Sequence, residues 1–549
     1  MVKYDHILYN GTVLTLDEGD HVASAVGISG GSIAKIWTEE GRPDADADRW
    51  LDLSGRTLIP GFIDTHNHLL MYARQKQQLN CASPPNESIS DLLAAVKQEA
   101  DYVPSGEWIV GSGYDDTMLK EKRHILRQEL DDAAPHHPVF IRHISGHLAV
   151  VNSQAFSYCE VPADISDPSG GHFGRDKEGH LDGVLYELPV LERIMQRMPA
   201  PSLDELVEQI EIATYDYLKE GITTSTDAAV GLDLGFEEYR AHMEAVKRGK
   251  NPIHMRYMVM YHLIENGELT DLDAEELNGR IHEDTAGRGA LDSVKLFQDG
   301  SIQGYTAALR GGYHEDETFN GDLVLPQHVL NNYVQKFHDQ GYRVAIHGNG
   351  DLAIASIIEA YTKALDAKPK KHHRHRIEHL QTAREEDVEK LRTYDIATSL
   401  FINHVYYWGD RHRDIFLGPE RAARINPTAS VVENGILYTL HSDCPITPIS
   451  PLFSIWAAAN RITRDGHVLG EGERVSVLEA LKSMTIYGAR LNGTEHDNGT
   501  IEQGKRADFA VLDQNPLKVD PRSVNDINVD LTIIDGEITY ERGSVPGTK

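Results

Sequence analysis

Two histidines one residue apart, His66 and His68, close the apolar run Ile59-Pro60-Gly61-Phe62-Ile63. Side chains alternate along a strand, so positions i and i+2 point the same way, and two neutral imidazoles there can grip one divalent ion. The same spacing recurs at His373-Arg374-His375, inside a basic run that reads as a solvated turn. Spacing alone is therefore weak evidence, and position along the chain has to decide. Other polar residues close or interrupt apolar runs in the same manner. They are Lys295 in Ser293-Val294-Lys295-Leu296-Phe297, His347 in Val344-Ala345-Ile346-His347, His379 in Arg376-Ile377-Glu378-His379 and Asp443 in Leu440-His441-Ser442-Asp443. One such histidine is more often a hydrogen-bonded core residue than a ligand. Four histidines, one lysine and one aspartate in six such positions read as a single centre.

To converge, these residues need a frame that brings strand ends together. Between residues 60 and 489 strand and helix alternate, the pattern of a parallel sheet. Ser202-Leu203-Asp204-Glu205 is a capping box, and Leu203, Leu206, Ile210, Ala213 and Tyr217 follow at helical spacing until Gly221. Pro326 opens a second such helix, which leads to the strand Arg343-Val344-Ala345-Ile346. Candidate strands end near His68, Asp227, Tyr261, Gln298, His347, His379, His404 and Asp443. Eight strands with helices between them predict a (β/α)8 barrel, whose active site lies at the C-terminal strand ends. The stretch from about 70 to 220 is too long for a loop, so an inserted α/β unit is expected at about 80–200. Short strands with Asn10-Gly11, Gly30-Gly31 and Asp535-Gly536 turns mark both ends of the chain. Residues 1–59 and 490–549 are expected to meet in one small β-sandwich.

Composition excludes some partners. A net charge of -32 repels nucleic acid and anionic membranes, and speaks to solubility more than to chemistry. The three scattered cysteines argue against thiolate zinc sites and for a reducing compartment. The opening Met1-Val2-Lys3-Tyr4-Asp5-His6 has no apolar h-region, so cytoplasmic residence is expected. A small-molecule substrate and a homodimer complete these expectations.

In this order, the residues resemble the amidohydrolase superfamily, and its YtcJ-like (amidohydrolase type 3) branch most of all. Shared motifs include Pro60-Gly61-Phe62-Ile63-Asp64 before the histidine pair, Arg142-His143-Ile144-Ser145-Gly146-His147, Gly221-Ile222-Thr223-Thr224, Val294-Lys295-Leu296-Phe297-Gln298-Asp299-Gly300-Ser301 and Arg376-Ile377-Glu378-His379. The tail Gly499-Thr500-Ile501-Glu502-Gln503-Gly504-Lys505-Arg506-Ala507-Asp508-Phe509 adds another. The resemblance implies a metal-dependent hydrolase cleaving a non-peptide C–N bond. His66 and His68 would hold one zinc-type ion and His347 and His379 a second. Lys295, carboxylated by carbon dioxide, would bridge them; the competing reading is a buried salt bridge to Asp299 or Asp443. Asp443 would be the general acid and base, or else merely orient a histidine. Arg142, His143, His147 and His404 are candidate substrate contacts, followed by Asp299 and Trp408. His404 and the aromatic run Tyr406-Tyr407-Trp408 read equally as core packing. Two departures stand out: His441-Ser442-Asp443 where many relatives have Gly-Ser-Asp, and His347-Gly348-Asn349-Gly350-Asp351 for the usual His-Ala-x-Gly-Asp. The same frame could instead host a deaminase, esterase or isomerase, or bind metal without turnover.

Overall fold

The computed structural model describes residues 3–39 and 41–544. Eight parallel strands pair in chain order: β1 Phe62–Asn67, β2 Ile222–Val230, β3 His254–Met260, β4 Gly289–Phe297, β5 Val344–Gly348, β6 Arg376–His379, β7 Ala397–Leu400 and β8 Tyr438–Leu440. Most of their residues are buried on both faces, as parallel strands sheathed by helices must be. The seam between β8 and β1 closes just beyond the strands. There the Asp443 N–H donates to His66 O (3.2 Å) and the His68 N–H to Cys444 O (2.7 Å). Closure of the barrel thus brings the first and last candidate site residues side by side.

Helix Leu203–Lys219 starts at the expected capping box, with Ser202 and Glu205 each satisfying the other's backbone N–H. Its inner face carries Leu206, Ile210, Ala213 and Tyr217. Tyr217 also donates to Asn67 Oδ1 (3.0 Å), which sits between the two metal-type histidines and so ties their strand end to the helix layer. Gly61 marks a close approach: a Cβ there would lie 2.2 Å from Thr223 on β2.

Both chain ends lie in two facing sheets. One contains Lys3–Tyr9, Ala25–Ser29, Ser32–Trp37 and Asp46–Asp52; the other contains Thr12–Leu14, Thr57–Pro60, Phe509–Leu512 and Val529–Ile534 among its strands. Phe509 lies opposite Pro60 and Leu512 opposite Thr57, so the C-terminal strand clasps the one that feeds β1. Leu8, Val26, Leu58, Phe509, Val511 and Ile533 fill the space between the sheets. Between β1 and β2, a mixed six-stranded sheet includes Ile109–Tyr114, Val139–His143, Leu148–Val151 and Leu181–Tyr186 and has its own apolar clusters. No helix among the described residues is long and apolar enough to cross a membrane.

Two local expectations fail. The seventh strand ends at Leu400, and His404 opens helix His404–Arg411 instead of closing a strand. The apolar run continues through Phe401 and Ile402, but His404 N–H bonds back to Phe401 O (3.2 Å) and Val405 N–H to Ile402 O (3.1 Å), curling the chain out of the sheet. His373-Arg374-His375 is not a solvated turn either: His373 is 2% and His375 0% exposed, wedged at the barrel base before β6.

Candidate metal centre and active site

Strand β1 delivers His66 and His68 to the barrel mouth. His66 Nε2 and His68 Nε2 lie 3.3 and 3.2 Å from the same atom, Asp443 Oδ1. Asp443 is reached through a left-handed residue (φ 53°) after β8. Asp64 fixes that turn, accepting the His66 N–H (3.1 Å) on one oxygen and the Ser442 hydroxyl (2.7 Å) on the other. Burial pushes the Asp64 carboxyl up to about 6. Burial works against ionisation of Asp443 as well, but its contacts with His66 and His68 outweigh that and keep it a carboxylate.

Across the mouth, His347 Nδ1 and His379 Nε2 are 3.0 Å apart. Their other nitrogens are tied back. His347 Nε2 donates to Gly300 O (3.1 Å), and His379 Nδ1 lies 3.2 Å from His441 Nε2, whose own Nδ1 meets Ser399 Oγ at 2.6 Å. His66 is anchored likewise: Nδ1 donates to Glu378 Oε2 (2.5 Å), Arg376 Nε donates to Glu378 Oε1 (2.5 Å), and Arg376 pairs with Asp292 (2.9 Å). Burial opposes a charged Glu378, yet Arg376 and His66 hold it well below the usual carboxylate range. Desolvation keeps His347, His379 and His441 neutral, the form in which imidazole ligates metal.

Lys295 rises from β4 fully buried, its Nζ without a hydrogen-bond partner. Burial lowers it to about 8. A salt bridge to Asp299 is not formed, because that carboxylate accepts the N–H groups of Asn349 (3.0 Å), Gly350 (2.7 Å) and Ala308 (3.0 Å).

The donor set fits a divalent ion. His66, His68 and Asp443 offer atoms within 4.8 Å of one another, as do His379, His441 and Asp443. Asp443 Oδ1 is a buried oxygen with no hydrogen-bond donor correctly aimed at it. Imidazole nitrogen with carboxylate oxygen, and no thiolate among these groups, suits zinc or a similar borderline metal.

The candidate substrate contacts divide into groups. His147 reaches the centre, its ring 5.4 Å from that of His347 and its Nδ1 held by Glu187 (2.9 Å). Arg142 and His143 line a cavity of about 670 Å³ between the inserted unit and the barrel mouth. Trp408 lines a neighbouring cavity of about 750 Å³ and donates to Asp115 (3.3 Å). Asp299 and His404 lie buried, outside the lining of these two cavities. Asp299 accepts three backbone N–H groups, clamping two loops, and burial pushes it to about 7. His404 is 2% exposed, packed on Phe401 at 4.2 Å and held by burial to about 3, as a core histidine is.

Glu378, Arg376 and Ser399 escaped the sequence reading as site residues, and His441 was noticed only as a departure. The one signal for Glu378 was its place beside His379 in the Arg-x-Glu-His run.

Residues 49–540 match the profile of the Amidohydrolase family. The chain is 28% identical to the protein named amidohydrolase YtcJ of Bacillus subtilis (strain 168), over 98% of this chain and 99% of that one. It is 29% identical to the N-substituted formamide deformylase of Arthrobacter pascens, over 98% of each. Among solved structures, a metal-dependent hydrolase from Pyrococcus furiosus superposes with a TM-score of 0.69 at 25% identity, covering 93% of this chain and 100% of that one. A counterpart from Pyrococcus horikoshii shares the fold with a TM-score of 0.73 at 23% identity, covering 94% and 99%. With a profile match across nearly its whole length and this barrel, the chain belongs to the amidohydrolase family, as a metal-dependent hydrolase acting on carbon–nitrogen bonds.

Proposed function

We propose that the protein hydrolyses the C–N bond of a small non-peptide amide, using zinc or a similar ion held by His66 and His68 and a second by His347 and His379. Lys295 would help hold them: as a carbamate, formed when its neutral amine adds to carbon dioxide and releases a proton, it would supply an anion with two oxygen donors. An unmodified ammonium at that position would repel the ions. What a divalent ion supplies at such a donor set is acidification of water from about 15.7 toward 7 and polarisation of a carbonyl.

Asp443 moves the proton. Its Oδ1, facing both His66 Nε2 and His68 Nε2, takes a proton from water as the oxygen adds to the amide carbon. The same atom then returns that proton to the departing nitrogen, and the products are a carboxylic acid and an amine. His147, braced by Glu187, stands beside His347 to hold the substrate carbonyl end. The partner is a small molecule rather than nucleic acid or membrane, and the site of action is the cytoplasm.

The observation carrying this reading is that nitrogens from β1, β5 and β6 and an unsatisfied carboxylate oxygen after β8 meet at one barrel mouth. N-substituted formamides, named for the Arthrobacter pascens relative, are the natural first substrates. The test is Asp443→Asn, with metal content measured alongside turnover. Metal is retained while kcat drops by about 10²–10⁴; unchanged turnover would remove Asp443 from the mechanism.

A further inference from the structure

The cavity of about 670 Å³ that contains Arg142 and His143 borders the metal centre, with none of the centre's own ligands in its lining. Three of its lining residues, Phe297, Met260 and Pro445, adjoin that centre. The Phe297 ring is 5.2 Å from that of His347, Met260 sits opposite Lys295 in the β3–β4 pairing, and Pro445 follows Asp443 by two residues. A bond held at the centre therefore leaves the rest of its molecule in this space. The volume lies within the range of about 300–1,000 Å³ usual for small-molecule sites.

Its lining is unusual for this chain. Of ten methionines in the sequence, four (Met71, Met195, Met198 and Met260) face this one cavity. Methionine is an unbranched, polarisable side chain that reshapes around apolar guests, so such a wall accepts bulk without demanding one shape. Phe140, Leu188, Leu234 and Ile446 extend the apolar surface. Charge is balanced: Arg74 and Arg142 face Asp233 and Glu192, and both guanidinium groups already pair with Asp233, at 3.3 and 2.9 Å. In a chain of net charge -32 this neutrality is local and specific. The adjoining cavity is different, with Lys76, Lys219, Arg411 and Arg464 opposed to Asp115, Asp216 and Glu220.

We propose that the substrate is an uncharged amide carrying one bulky apolar substituent, aryl or branched alkyl, seated in the methionine-lined cavity while its C–N bond lies at the metal centre. This rests on the amide-hydrolase reading above and adds the class of group the enzyme selects. Selection comes from burying apolar surface in a wall that adapts, so several apolar shapes are accepted. An anion finds both guanidinium groups already paired, and a cation finds only Glu192, whose carboxyl is pushed toward its neutral form by burial and by Asp233.

The test uses the metal-loaded protein and four formamides that differ only on nitrogen: phenethyl, methyl, carboxymethyl and aminoethyl. The expected kcat/KM for phenethyl exceeds that for each of the others by about 10-fold or more. Met198→Glu is expected to lower the phenethyl-to-methyl ratio by a similar factor, with the melting curve checked for folding. Binding is measured separately by calorimetry on metal-loaded Asp443→Asn, with the same four compounds. Hydrolysis of all four at equal efficiency, or tighter binding of a charged one, overturns the proposal. If no formamide is cleaved but the phenethyl compound still binds Asp443→Asn at least about 10-fold tighter than the rest, the cavity assignment stands and the reaction assigned to the centre falls. If none is cleaved and none is preferred, both fall.

Discussion

At the scale of single residues, the centre is built from imidazoles, and His66, His347 and His379 each have a partner for the outward nitrogen. A ligating histidine is oriented by whatever accepts its second N–H, and loss of that acceptor commonly costs about 10–100-fold in metal affinity. For His66 the acceptor is Glu378; for His379 it is His441, which passes the bond on to Ser399. Glu378→Gln and His441→Gly are therefore expected to weaken metal binding by that factor while leaving the four ligands in place, as competition with a chromophoric chelator would show. Equal affinity in the His441 variant would mean that His379 is oriented by packing alone. Lys295→Ala is expected to lower metal stoichiometry, read by elemental analysis, and full retention would argue against a bridging carbamate. The ligands themselves were legible because each ends an apolar run. Glu378 was not, for a physical reason. In a regular strand it points away from its neighbour His379, but His379 adopts a left-handed backbone (φ 73°) that breaks the alternation and brings both to the centre. The role of His441 depends on the gap between β6 and β8, which sequence spacing does not specify.

Among elements, what needs explaining is how the inserted unit stays seated on the barrel. Two polar latches cross the junction. Arg142 of the insert pairs with Asp233 after β2, on a loop whose four successive N–H groups, from Gly231 to Leu234, all donate to Glu238. Asp115 of the insert accepts from Arg411 Nη1 (2.8 Å) and Trp408 Nε1 (3.3 Å), both on the helix after β7. Burial would raise Asp115, but Arg411 and His143 outweigh it and hold the carboxyl at about 2. An aspartate in the unfolded chain titrates near 3.9, so this group favours the folded state above about pH 4 and loses that contribution as pH falls through 4 toward 2, about 2 kcal/mol in all. Asp115→Asn should remove it, flatten that acid limb in denaturant titrations and speed hydrogen exchange at residues 404–411. Unaltered exchange there would show that the latch is dispensable. The sequence revealed the insert through its length but not these latches, which join residues 91 positions apart in one case and almost three hundred in the other. It also overran β7, because Phe401 and Ile402 are as apolar as a strand, and only the turn hydrogen bonds end it.

For the molecule as a whole, acid and salt should act through different groups. A net charge of -32 makes the surface repel itself, and added salt screens that repulsion. The barrel base holds the opposing element. Val344 N–H donates to His375 Nδ1 (3.0 Å), so His375 Nε2 must be the donor to His338 Nδ1 (2.9 Å), and His338 Nε2 donates to Lys368 O (2.7 Å). His373 is fixed in the same way, accepting the His375 N–H (2.9 Å) and donating to Tyr394 O (2.9 Å). Every ring nitrogen is used in the neutral form, so an added proton at His375 or His373 meets a donor instead of an acceptor. Burial accordingly lowers both, His375 well below the ordinary value and His373 less so. A group that stays neutral when folded but takes a proton near 6.5 when unfolded leaves the unfolded state with more bound protons below that pH. Stability must then fall as pH drops from about 6.5, by about 1.4 kcal/mol per pH unit for each such histidine. The two effects separate experimentally. Raising sodium chloride should lift the melting temperature at pH 8 by screening the surface, yet it should not abolish the decline between pH 6.5 and 5, because buried groups are poorly screened. His375→Asn should reduce the slope of that decline even while lowering stability at pH 8. A decline that salt erases, or that His375→Asn leaves at full slope, would assign acid sensitivity to the surface and leave the histidines at the base as packing alone.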